Sequence, residues 1–548
     1  MKKITIAFSL VLLTAISCKK ELNIIDTNNP TPSAATSEAG VISLAQGSIY
    51  RNGFFDLKYR DGVYGRFWAG ATGFHEMMGD IIGVEAANAY INQIGLPNKV
   101  TLDNGTVILN PSAINTQYAL LRSVNVNAQS GANPTYYEWA YMYNLIVASN
   151  TVIDLATKSS YTSEAATKKA TLLAWAYFWK GYAYARIGSI YYAGLKQNAT
   201  FEDQSTNGNY VSKENIIAES NTMFDNAATQ IAAATNTAAY TEVLGKLIPS
   251  FLQIGKGGVF TKAAFLRNIN TMKARNILVN TPMAAMTTAQ WTSILTLTTN
   301  GITATDLIFT GRTDANGDFL GTTIADKVAS SASATGTYKL SERWVQEFKA
   351  GDQRFANNVR TLNPGIGNFN QDRGNSFNTR YTLIRSGNRI AGVIVYANAD
   401  AGLNEITLCG TYEENELMKA EATLNVGGFS AASITSAMLM VDNVRNYQGA
   451  GLMPTVAATA TVAREELRRE RRIALAFKGL SFYDARRWDI IDPSKSRTGA
   501  VVLAGSTGVL NTNATINYGF LDYWDVPDNE LAYNPAAAGS APIKNPKQ

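Results

Sequence analysis

The sequence predicts a mainly α fold: a tetratricopeptide-like helical-repeat scaffold with an irregular, loop-rich ligand-binding part and minor β-strands. Three observations carry that expectation. Apolar residues recur every three or four positions in several long segments, the spacing of a single buried helix face. Late in the chain, two such segments are joined by Gly427-Gly428, the arrangement of one tetratricopeptide-like helix pair. The stretches 101–135, 305–337 and 360–398 break the period and are rich in turn residues.

Taken in order, the chain begins with the basic tip Met1-Lys2-Lys3. A short apolar run over 4–16 follows, with Ala15 and Ser17 just ahead of Cys18. That order is a secretory signal peptide. The run is shorter than the roughly 20 apolar residues that span a bilayer. Residues 1–17 are therefore expected to be a lipoprotein signal peptide, with Cys18 the lipidated residue. An ordinary signal peptide with an incidental cysteine is the alternative. Residues 18–40 are polar and hold Asn29-Pro30-Thr31-Pro32, so they read as a tether. Residues 41–548 are expected to form one domain.

Within that domain, Trp139, Tyr143, Ile146, Val147, Asn150 and Ile153 mark one buried helix face. Residues 170–187 form an aromatic-rich helix in which Trp175, Trp179 and Tyr182 alternate with small residues such as Ala174, Gly181 and Ala185. Such interleaving lets two helices approach closely. Segments 215–231 and 261–279 are further helices. Leu417, Ala420 and Leu424 form the stripe of a helix over 413–426, which Gly427-Gly428 closes. Ser430 can cap the next helix, whose stripe is Ile434, Ala437, Val441 and Val444. Residues 464–472 read as a helix in which Glu465 can pair with Arg468 and Arg469. Gly479 would end it, and Ser481 with Asp484 would cap the following helix in box fashion. The run Val393-Ile394-Val395-Tyr396 suggests a minor strand. The three irregular stretches are where ligand contacts are expected, because long loops in a compact domain carry function.

Composition narrows the chemistry. With 46% hydrophobic and 17% charged residues this is a soluble globular composition, and a formal charge of +5 is nearly balanced for 548 residues, so no nucleic-acid partner is expected. The only cysteines are Cys18 and Cys409, which leaves no internal disulfide framework. His75 is the only histidine, so no multi-histidine metal site can be built and a Ser-His-Asp triad would have to use it. A lone histidine between Phe74 and Glu76 is more often a packed or surface residue. Asp314, Asn316 and Asp318 resemble the start of a calcium loop. However, Phe319 stands where glycine belongs and no glutamate follows at the twelfth position, so an Asx turn is the simpler reading. No phosphate loop, dinucleotide fingerprint or nucleophile elbow stands out, and no cofactor or catalytic residue is expected. A glycosidase carboxylate pair cannot be read from sequence. The early cluster Tyr64, Arg66, Trp68, His75, Tyr90 and Asn92 offers aromatic faces and polar tips suited to sugar rings, and these are the candidate ligand-binding residues.

The stretch Arg464-Glu-Glu-Leu-Arg-Arg-Glu470-Arg471-Arg472 to Phe477-Lys-Gly479, continuing into Phe482-Tyr483-Asp484-Ala-Arg486-Arg487-Trp488, resembles the C-terminal signature of the SusD/RagB family. Ala474, Lys478 and Ser481 depart from that pattern. Further matches fall in family order: Cys18-Lys-Lys-Glu-Leu-Asn23, then Ser341, Phe348 and Asp352-Gln-Arg354. Glu416 to Ala422 with Asn443-Val-Arg445 follows, and Pro527, Glu530 and Asn534-Pro535 close the series. The resemblance implies a lipid-anchored protein of the Bacteroidetes outer membrane, facing the cell exterior. It implies a scaffold of four tetratricopeptide-like helix pairs that binds oligosaccharide, or another nutrient, without catalysis. It also implies delivery of that ligand to a SusC-like TonB-dependent transporter. A surface glycoside hydrolase and an assembly protein that binds no ligand are the alternatives.

Overall fold

The computed structural model describes residues 35–50, 67–84, 94–110, 114–129, 133–203, 207–312, 328, 338–366, 378–398, 405–490, 497–504 and 508–547. Residues 1–17, expected to be a signal peptide, Cys18 and Asp314–Asp318 lie outside the described residues.

Eight helices form the scaffold: α1 (Pro134–Lys158), α2 (Ala165–Ile190), α3 (Lys213–Ala233), α4 (Lys262–Val279), α5 (Thr288–Thr299), α6 (Tyr412–Val426), α7 (Ala431–Tyr447) and α8 (Ala460–Ala474). Each packs on the next in chain order, which gives four successive helix pairs. The expected helices are all present, extended by a few residues at their ends. The caps follow local chemistry: Thr261 accepts from the Ala264 amide at 3.1 Å, Ser430 from Ser433 at 3.3 Å, and Thr287 with Gln290 forms a full capping box. Between α6 and α7, Gly428 takes a left-handed φ of 59°.

The small residues of α2 do what their spacing suggests. A Cβ on Gly181 would sit 2.9 Å from the Phe224 ring of α3, so α2 and α3 touch backbone to ring. Ser220 donates to the Gly181 carbonyl at 2.7 Å across the same contact. Phe178 stacks on Phe309 at 4.6 Å, with Trp175, Trp179 and Phe265 edge-on to Phe309. An aromatic from the irregular segment thus plugs the helical core, an arrangement that gains area burial and edge-to-face attraction together.

Strands are few and short, as expected, but their places differ from expectation. A four-stranded antiparallel sheet joins β1 (Lys99–Thr101) and β2 (Val107–Leu109) to β3 (Arg497–Ala504) and β4 (Val509–Asn517), in the order β3-β4-β1-β2. Val100 is opposite both Ile108 and Ile516. Asn104-Gly105 makes the β1–β2 turn, where Gly105 has φ 83° and Asn104 accepts from the Thr106 amide. The run Val393–Tyr396 is not a strand. Its backbone is satisfied by side chains and loop carbonyls instead: Asn357 and Asn358 donate to the Ile394 carbonyl, and Asn358 accepts from the Tyr396 amide. Ser481 and Asp484 do not form a capping box either. Ser481 Oγ donates to the His75 carbonyl at 3.0 Å, and Asp484 is taken by Arg471 and Arg487. Among the described residues, no helix is long and apolar enough to cross a membrane.

Candidate functional site

Of the candidate ligand-binding residues, Tyr64, Arg66, Tyr90 and Asn92 lie outside the described residues, as does the side chain of Trp68. Trp68 belongs to the helix Phe67–Met78, and His75 sits two turns further along it. The structure therefore shows how this segment is held, and by what.

His75 is fully buried. Its Nε2 lies 3.0 Å from Glu138 of α1, whose other oxygen takes Arg186 of α2 at 2.5 Å. Burial pushes the His75 pKa down, Glu138 pulls it up, and the net direction is down, so the ring is neutral at pH 7. The Arg186 guanidinium, with the hydrogen bond to His75, holds the Glu138 carboxyl below its ordinary range despite burial. Phe482 and Tyr483 pack edge-on to the imidazole, at 6.0 and 4.9 Å. The ring thus faces the interior and supports the helix.

Glu76 pins the same helix to the turn after α8. Its carboxyl accepts from the Gly479 amide at 2.7 Å and the Phe477 amide at 3.1 Å. Both turn residues have positive φ, 70° at Gly479 and 63° at Phe477, which aims the two N–H groups one way. Gly79 makes the approach possible: a Cβ there would fall 2.0 Å from Ser481 Oγ. Arg472 then donates to the carbonyls of Gly79 and Asp80, and the Asp80 carboxylate takes both arms of Arg343, the Tyr518 hydroxyl and the Ser341 hydroxyl. The segment bearing the candidate aromatics is thus clamped by residues 338–344 and 472–481.

Residues that sequence reading took as separate motifs meet in two buried charge clusters. In the first, Arg354 reaches Asp352, Gln448 and Glu470, while Arg445 reaches Glu470 and Glu466. In the second, Asp484 joins Arg471 and Arg487, and Arg487 is bidentate on Glu421 at 2.6 and 2.8 Å. At the helix surface Glu465 pairs with Arg468 at 2.7 Å and with Arg469 at 3.9 Å, the expected i, i+3 and i, i+4 contacts. Lys478, one of the departures from the family pattern, reaches Glu413 at 3.2 Å.

Among the described residues, no group of three His, Cys, Asp or Glu converges to hold a metal ion. Cys409 is buried, and burial pushes its thiol pKa up, away from the thiolate. What the arrangement can do is hold loops at fixed positions over a rigid helical scaffold, as a ligand-capturing protein requires.

The comparisons with known proteins concern the fold and one span of the sequence. Residues 412–537 match the SusD family model, a span that contains the arginine-rich signature, the α6–α7 pair and the closing Pro527 to Pro535. No curated protein matches the sequence. A SusD-like carbohydrate binding protein from Bacteroides vulgatus ATCC 8482 is similar over 92% of this chain and 98% of its own, at 12% identity and a TM-score of 0.56. A SusD homolog from Bacteroides thetaiotaomicron VPI-5482 covers 92% and 96%, at 13% identity and a TM-score of 0.55. A SusD-like carbohydrate binding protein from Bacteroides fragilis NCTC 9343 covers 86% and 99%, at 16% identity and a TM-score of 0.51. At such identities the likeness establishes the fold. Helical pairs under an irregular clamp define the class, a SusD-like scaffold. Residues 412–537 carry the match to the SusD family model, and the fold over nearly the whole chain is SusD-like.

Proposed function

We propose that this protein is a cell-surface lipoprotein of the outer membrane that binds oligosaccharide and passes it to a SusC-like TonB-dependent transporter. The observation that carries the reading is the SusD-family match on a fold shared nearly end to end with SusD-like carbohydrate binding proteins. The ligand surface would be built by Tyr64, Arg66, Trp68, Tyr90 and Asn92, with His75 and Glu76 bracing the helix beneath. Three aromatics with a few polar groups are the usual makings of a ligand site. A lipid on Cys18 would keep the protein beside its transporter. Stable anchoring takes more than one acyl chain, which is how lipidated cysteines of this class are modified.

Incubating the purified protein with a panel of glycans, and measuring heat of binding and released sugar together, tests the reading. Saturable binding without released sugar is expected. Released sugar would make the protein a glycoside hydrolase, and no binding to any glycan would leave an assembly role. The anchor has a separate test. Cys18→Ala should move the protein from the membrane fraction to the soluble fraction, and unchanged retention would refute lipidation at that residue.

A further inference from the structure

Six of the tryptophans with described side chains are buried: Trp139, Trp175, Trp179, Trp291, Trp344 and Trp524. Trp488 is the exception, being half-buried. It forms one wall of a cleft of about 460 Å³ between α6, α8 and the turn before α7. That volume falls within the range of small-molecule sites.

The floor of the cleft is apolar and ringed. Leu424 and Leu467, both buried, line it together with the rings of Phe429 and Trp488. Each ring carries a guanidinium on one face: Arg487 lies 4.3 Å from the Trp488 ring centre, and Arg464 lies 4.0 Å from that of Phe429. Arg487 is fully buried and locked by Glu421 and Asp484, so it fixes the plane of the indole. A tryptophan held flat in this way is a stacking platform that pays little entropy on binding.

The rim supplies hydrogen-bonding groups of the kind that match ring hydroxyls. Asn425 uses its amide nitrogen on the Glu421 carbonyl, which leaves its oxygen as an acceptor. The Thr461 hydroxyl has no partner among the described residues, and Arg464 is exposed and has no carboxylate partner among them. Arg468 is a planar fork shared between Glu347 and Glu465. Formal charge on the lining balances, with Arg464 and Arg468 against Glu421 and Glu465. An anionic chain would need a surplus of cations, and an apolar peptide side chain would leave the rim groups facing nothing. A neutral sugar meets both conditions: its C–H face covers the indole and its hydroxyls satisfy the rim.

We infer that this cleft is a carbohydrate subsite for a neutral oligosaccharide, centred on Trp488. It extends the proposed function and borrows from it only the class of ligand. Acrylamide quenching of tryptophan fluorescence tests it, because Trp488 is the described indole that solvent reaches. The full chain carrying Trp68→Phe would be titrated with maltohexaose, cellohexaose, xylohexaose and mannohexaose. Protection from quenching by at least one of them is expected. Trp488→Phe added to that chain should abolish the protection. In the otherwise native chain, Trp488→Ala should weaken binding of the same sugar about tenfold, as for other central aromatic anchors. An unchanged melting temperature of Trp488→Phe would exclude misfolding. Absence of protection by every hexasaccharide overturns the inference, whether or not the native chain binds glycan. If Trp68→Phe abolishes binding altogether while Trp488 stays quenchable, the proposed function stands and this subsite does not. Protection by a tryptophan-containing peptide but by no sugar would assign the cleft to a protein partner and would equally overturn it.

Discussion

Glu470→Ala is expected to lower the unfolding free energy by about 3–5 kcal/mol, the cost of removing one partner from a buried ion cluster. Glu470 is fully buried, and both of its oxygens are engaged: Oε1 takes Arg354 at 2.5 Å and Oε2 takes Arg445 at 2.8 Å. Burial alone would raise its pKa, but the two guanidiniums outweigh burial and hold the carboxyl ionised and below its ordinary range. Without it, Arg354 keeps only Asp352 for charge balance and Arg445 keeps Glu466. The loss would also be felt at a distance in sequence, because Arg354 comes from the segment after 338 and Arg445 from α7. Glu465, one turn earlier on α8 and 47% exposed, provides the comparison. Glu465→Ala should cost no more than about 1 kcal/mol, as exposed pairs do. Urea denaturation of the two variants would decide the matter. Similar losses in both would mean that the buried cluster contributes no more than a surface pair.

These clusters explain why the family signature looks as it does, and how far sequence could see. Seven of the eight scaffold helices were legible because apolar residues recur at a period of three to four in one dimension; α5 was not read, and α2, buried nearly all round, showed instead by its aromatic and small residues. The motif residues were legible too, as a resemblance. Their partners were not, because the Asp352-Gln-Arg354 motif, Arg445 and Glu470 come from three segments apart in the chain, and nothing local in any of them names the others. The same distance hid the sheet: β1 pairs with β4 across some four hundred positions, and only Asn104-Gly105 gave a local hint of a turn. Val393–Tyr396 misled for the opposite reason. Its β-branched run has local strand character, yet Asn357 and Asn358 took the place that a neighbouring strand would have filled. Around the candidate site, Phe74-His75-Glu76 showed a histidine next to a carboxylate in sequence. In the fold they point to different partners, Glu138 for one and the Phe477–Gly479 turn for the other. Polar residues in a helix declare their chemistry in sequence but not the direction in which they spend it.

Glu76 gives the second large expected effect, a stability that falls as pH rises toward neutrality. Burial, the largest cause, pushes its carboxyl up to about 7, against the amides of Phe477 and Gly479, the Ser481 hydroxyl and the charge of Arg472. Arg472 helps little because its donors are spent on Glu347 and on the carbonyls of Gly79 and Asp80. The folded state therefore holds a proton on Glu76 at pH values where the unfolded chain has released it. Its contribution is complete below about pH 4.5 and is lost by about pH 7, a change of up to about 3 kcal/mol at 1.36 kcal/mol per unit. His75 acts in the other direction: its lowered pKa makes the folded state gain stability as pH rises toward 6.5. Glu138, Glu470 and Asp484, all held low, lose their contribution only in more acid solution. Comparison with Glu76→Gln removes these shared terms, since glutamine stays neutral throughout. Measured by urea denaturation, the variant should improve relative to the native chain by about 3 kcal/mol between pH 4.5 and pH 8. A gap that does not change with pH would mean that Glu76 is ionised in the folded protein at both ends, with its two amide bonds outweighing burial. The outcome bears on the proposed ligand surface, because the helix that Glu76 pins is the one that carries Trp68.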